Sequence, residues 1–75
     1  MVSKLYSARE IVSALLRAGC WYVGQKGSHI KLRRRIGKRI LTIIVTDDRE
    51  VAMGTFRSIL EQAEMSIDEF RQFLK

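Results

Sequence analysis

The only histidine of this chain, His29, stands in the run Lys26-Gly27-Ser28-His29, with Lys31 and Arg33 following at alternate positions. An imidazole with its ordinary pKa of about 6.5 can both take and give a proton near neutral pH. One chemistry asks for little more than that. An RNA phosphodiester carries its own nucleophile, the 2′-hydroxyl. Its cleavage therefore needs a base for that proton, an acid for the leaving oxygen and cations for the charged transition state. A histidine on a surface of lysines and arginines meets this minimum, provided that the fold turns it outward.

Other constellations are weaker. Cys20, between Gly19 and Trp21, has no second histidine to pair with and reads as a small core residue rather than a nucleophile. Asp47, Asp48 and Glu50 could meet a hard cation, but adjacent strand residues point to opposite faces, so no metal site is expected. Gly24, Gly27 and Gly37 have no phosphate-loop spacing and precede no helix, which argues against a nucleotide cofactor. A single cysteine excludes an internal disulfide. Cys20 and His29 together fall short of the roughly four ligands of a structural zinc site.

Composition bounds the scaffold. Seventy-five residues are expected to form one domain, residues 1–75, with one modest core, so chemistry must sit on its surface. No apolar run reaches the roughly 18 residues of a membrane span, and the start, Met1-Val2-Ser3-Lys4-Leu5-Tyr6, has no hydrophobic signal region. A protein of the reducing cytoplasm is expected. The net charge of +6 is unevenly placed. Up to Thr46 there are ten bases and one acid, for +9; from Asp47 onward seven acids and four bases give −3. Lys26, Lys31, Arg33, Arg34, Arg35, Lys38 and Arg39 occupy a segment with no acid, the electrostatic footprint of a nucleic-acid binder.

The elements follow from periodicity and caps. Ser7-Ala8-Arg9-Glu10 is a capping box; Ala8, Ile11, Val12, Leu15 and Leu16 then trace one helix face up to Gly19. Residues 20–26 read as a strand, Gly27 as a turn and residues 28–34 as a second strand, with Ser28, Ile30 and Leu32 inside and His29, Lys31 and Arg33 outside. In the first strand, strict alternation sends Trp21 inward and Tyr22 to the open face, where its ring could stack on a base; core packing is the commoner role for either ring. Gly37 turns the chain into a third strand over residues 40–46, with Leu41, Ile43 and Val45 inward and Thr42 and Thr46 outward. A second helix is expected from near Gly54-Thr55, burying Phe56, Ile59, Leu60 and Ala63. Ser66-Ile67-Asp68-Glu69, another capping box, opens a third, with Ile67, Phe70 and Leu74 on one side. The expected fold is α+β, in the order α-β-β-β-α-α. Its three-stranded antiparallel sheet has helices on one face and its other face open.

Gly19-Cys20-Trp21-Tyr22, Gln25-Lys26-Gly27-Ser28-His29 and Gly54-Thr55-Phe56-Arg57-Ser58-Ile59-Leu60-Glu61-Gln62-Ala63 together resemble the HicA toxins of type II toxin–antitoxin systems. The resemblance covers nearly the whole chain. It implies a double-stranded-RNA-binding-like fold, a ribosome-independent mRNA interferase activity, His29 as the catalytic histidine and a HicB-type antitoxin as partner. The chain departs from the family pattern at Thr46-Asp47-Asp48, where a His-Pro or similar basic stretch is usual, and at Ala63-Glu64-Met65, in place of Ala-Gly-Leu.

The reading that results is an endoribonuclease with His29 as general acid/base and RNA as substrate. Lys26, Lys31 and Arg33 bind phosphates, Gly27 and Ser28 shape the turn and complete the RNA-binding set there, and Arg34, Arg35, Lys38 and Arg39 extend the basic surface. The alternative is a non-catalytic RNA-binding module of the same fold. Such modules carry a lysine cluster at the start of the helix after the sheet, whereas Met53-Gly54-Thr55-Phe56-Arg57 has one base.

Overall fold

The computed structural model describes residues 5–74. Residues 1–4, Lys4 among them, lie outside the described residues, as does Lys75. Helix α1 spans Ala8–Arg17, strands β1, β2 and β3 span Trp21–Lys26, His29–Ile36 and Arg39–Thr46, and helices α2 and α3 span Met53–Ala63 and Ile67–Gln72. The strands form one antiparallel sheet in the order β1-β2-β3. This is the α+β order that the periodicity predicts.

Local chemistry explains each boundary. Ser7 Oγ accepts from the Glu10 amide at 3.0 Å and Glu10 accepts from the Ser7 amide at 2.9 Å, so the first capping box closes reciprocally. Gly19, at φ +102°, carries the chain out of α1. The second capping box is only half made. Ser66 Oγ accepts from the Glu69 amide at 3.0 Å, but the Glu69 carboxylate turns to Arg34. Helix α2 starts at Met53 without a side-chain cap and ends at Glu64, whose φ of 51° and ψ of 48° are left-handed. Glu64 thus takes a conformation that glycine adopts without steric cost.

The helix-facing side of the sheet supplies Ile30, Leu32, Ile43 and Val45 to a core shared with Ile11 and Leu15 of α1, Phe56, Ile59 and Leu60 of α2, and Phe70 of α3. Leu16, expected in the buried stripe, is 45% exposed; Ala14 takes the inward position. Ile67 is likewise exposed while Phe70 is fully buried. Tyr6, Phe56 and Phe70 form a ring cluster with centroids 5.0 to 5.5 Å apart, which ties the segment before α1 to α2 and α3. Such tilted and edge-on pairs each add roughly 0.5–1.5 kcal/mol beyond their burial. Along the outer edge of β3, the Ile44 amide donates to Gln62 Oε1 at 2.9 Å, so α2 satisfies a group that a free edge would leave to solvent.

Candidate active site

Both hairpins turn through two residues, and in each the first is a glycine at positive φ: Gly27 at 59° and Gly37 at 60°. This is the conformation a tight hairpin of the II′ kind requires. Ser28 is therefore part of the turn, and β2 begins at His29. Lys26 and His29 face each other across the turn as register partners. Directly opposed antiparallel residues project to the same face with Cβ atoms about 5 Å apart. The turn is braced by Gln25 Nε2, which donates to Gly27 O at 3.0 Å and to Asp47 Oδ2 at 3.3 Å, and by the Asp47 amide, which donates to Ser28 O at 2.7 Å.

From this corner the open face can be read row by row. His29 lies between Lys26 and Thr46, Lys31 between Gly24 and Ile44, Arg33 between Trp21 and Thr42, and Arg35 opposite Ile40. None of these residues is acidic. His29, Lys31, Lys26 and Ile44 line a shallow recess of about 520 Å³ with Val23 and Gly24. His29 is exposed, and among the described residues no side chain hydrogen-bonds its imidazole. A substrate group could therefore reach either ring nitrogen. Among the described residues, no group of three or more His, Cys, Asp or Glu side chains could hold a metal ion.

Not all the expected cations reach this face. Arg34 follows Arg33 by one residue and so points to the helices, as strand alternation demands. Its Nη1 donates to Ala63 O at 2.6 Å and to Glu64 O at 3.3 Å, and its Nη2 donates to Glu69 Oε2 at 2.9 Å. Arg39, opposite Ile36, also projects to the helix side and pairs with Glu64. Lys38 sits in the far turn, and Arg35 is six residues along β2 from His29, about 20 Å at strand rise. Lys26, Lys31 and Arg33 are the cations that share the face with His29 at closer range.

The aromatics of β1 are reversed from expectation. Register shifts between Tyr22 and Gly24, so Val23 is an extra residue in β1. Trp21 and Lys26 are five residues apart and would point to opposite faces of a regular strand. The bulge brings both to the open face, and Tyr22 turns toward the helix layer beside Val12, Ser13 and Ile30. Gly24 was the available signal, since an isolated glycine within a strand pattern marks a bulge. Cys20 is buried, and burial pushes its thiol above the ordinary value of 9.0, with Arg34 opposing and Glu69 adding to the shift. It is a neutral core residue.

The family model of the HicA toxin of bacterial toxin–antitoxin systems matches residues 8–65, which takes in α1, the whole sheet and α2. The chain belongs to the HicA toxin family. A HicA chain is the toxin of such a pair and has an antitoxin as its partner. Comparison with curated proteins gives no match. Among the described residues of this HicA chain, no helix is long and apolar enough to cross a membrane.

Proposed function

We propose that this toxin is a cytoplasmic, ribosome-independent endoribonuclease that cleaves mRNA with His29 as general acid/base and that a HicB-type antitoxin neutralises it. The observation that carries the reading is the pairing of His29 with Lys26 at the mouth of an acid-free, cationic face. The imidazole takes the proton of the RNA 2′-hydroxyl as its oxygen bonds to phosphorus. The bond from phosphorus to the 5′-oxygen breaks, and that oxygen needs a proton. In this reading Lys26, the register partner of His29, gives that proton, and Lys31 and Arg33 meet the charge that builds on the phosphoryl oxygens. Side chains supply the acid and the base, so the step calls for no metal or nucleotide cofactor. Gly27 and Ser28 set the corner from which His29 and Lys26 project.

A direct test compares the protein with its His29→Ala variant in RNA decay and growth arrest. A general acid/base typically contributes 10²–10⁴-fold, so the variant should lose about that much cleavage. Its stability should be unchanged, because the side chain is exposed. Equal decay from both proteins would overturn the assignment. Tight binding of intact duplex RNA with no cleavage by either would support the non-catalytic module instead. Co-purification with the acidic product of a neighbouring reading frame tests the antitoxin.

A further inference from the structure

Trp21 is 42% exposed, although the rings of Tyr6, Phe56 and Phe70 cluster in the interior. Among the described residues no other ring packs on the indole. The Val23 bulge is what turns it outward, into the same row as Arg33 and Thr42. Arg33 is half-buried in the middle of that row, and Lys31 lies between it and His29. From the His29 row to the Trp21 row is four residues of β2, about 13 Å. An RNA strand passing His29 along the sheet would therefore meet Trp21 at a nucleotide beside the cleaved linkage, not at it.

We propose that Trp21, flanked by Arg33, is a stacking subsite for an unpaired nucleobase next to the scissile phosphodiester. The inference rests on the proposed RNA cleavage and deepens it. An exposed aromatic ring interleaved with cations suits a strand that offers a flat base and a phosphate at each step. The base must be unpaired, because in a duplex its faces are already stacked. The subsite thus makes single-stranded RNA the substrate class and Trp21 a positioning residue that fixes the strand relative to His29.

Trp21 is the only tryptophan of the chain, so its own fluorescence reports the contact. The His29→Ala protein, which should leave RNA intact, is titrated with a mixed-sequence single-stranded oligoribonucleotide, followed by indole fluorescence and by polarisation of a labelled strand. Binding should quench the indole. Trp21→Leu should weaken binding roughly five- to hundredfold, as loss of one base–aromatic stack does, and Trp21→Phe should restore most of it. In the His29-containing protein, Trp21→Leu should raise KM more than it lowers kcat, and duplex RNA of the same sequence should not quench. If the RNA binds with no quenching and Trp21→Leu binds as tightly, the subsite is overturned while RNA binding stands. If no RNA binds at all, both readings fall. If Trp21→Leu loses affinity for the antitoxin while cleavage is unchanged, the indole serves the protein interface and the subsite is again overturned.

Discussion

The guanidinium of Arg34 donates to the carboxylate of Glu69 at 2.9 Å and, through its other terminal nitrogen, to the last carbonyls of α2. One cation on β2 thereby holds the end of α2 and the start of α3 against the sheet, where a positive charge complements the α2 C-terminus. The side chain of Arg34 is 16% exposed and that of Glu69 is 38%, so water screens only part of the interaction.

Removing Arg34 leaves a half-buried carboxylate and helix carbonyls without their donor. Arg34→Met should cost about 1–3 kcal/mol in urea unfolding, and the cost should be smaller when Glu69→Gln is already present, leaving the share due to the Ala63 and Glu64 carbonyls. Cleavage by the folded fraction should stay within a few-fold of the parent, since Arg34 faces away from His29. A loss below about 0.5 kcal/mol would show that the clamp does not hold the helices.

Salt dependence should separate the two sets of cations. Each phosphate contact to a single strand adds about 0.7 to the slope of log affinity against log salt. Lys31→Ala and Arg33→Ala should each reduce the slope by about that much, whereas Arg39→Ala, on the helix side, should leave it unchanged. Binding measured across a salt series decides between them.

Glu64→Gly should stabilise the protein. Relief of the left-handed glutamate is worth about 1 kcal/mol, partly offset by the lost pairing with Arg39, a surface contact worth about 0–1 kcal/mol. The denaturation midpoint should rise. In the Glu64→Gly background, Arg39→Ala should then have almost no effect on it.

Cys20 gives a pH dependence of known sign. Burial raises its thiol above 9.0 in the folded chain, so the folded state holds a proton that the unfolded state releases first. This stabilisation is fully present below pH 9 and is lost as pH rises through the folded value. Stability should fall on the alkaline side, and Cys20→Ala should flatten that part of the curve. Thiol reagents should reach Cys20 at a rate set by unfolding.

Helix α1 and the strand pairing were legible because caps and turns are local, and α2, which has no side-chain cap, was legible from the spacing of Phe56, Ile59, Leu60 and Ala63. Ser7 with Glu10, Gly19, Gly27 and Gly37 mark boundaries by backbone chemistry that tertiary packing does not override. The outward placement of His29, Lys31 and Arg33 also followed from period-two alternation. The phase of β1 did not. Counting back from Lys26 without the Val23 bulge interchanges Trp21 and Tyr22. The helix-side placement of Arg34 and Arg39 is hidden in the sequence for a different reason. A run of like charges looks uniform in sequence, but neighbouring strand residues face opposite ways, and Glu64 and Glu69 come from 25 to 35 residues later. The half-made capping box at Ser66 has the same origin, for Arg34 competes for Glu69.

The two-residue hairpin at Gly27-Ser28 makes the spacing of the candidate site a matter of chain length as much as of residue identity. Because side chains alternate with a period of two, one residue more in that turn would slip β1 against β2 and send Lys26 or His29 to the helix side. Substitutions can tune this corner gradually, but insertions and deletions act on it as an on–off change. Activity should therefore tolerate many residue types at position 28 and no change in the number of residues between Lys26 and His29.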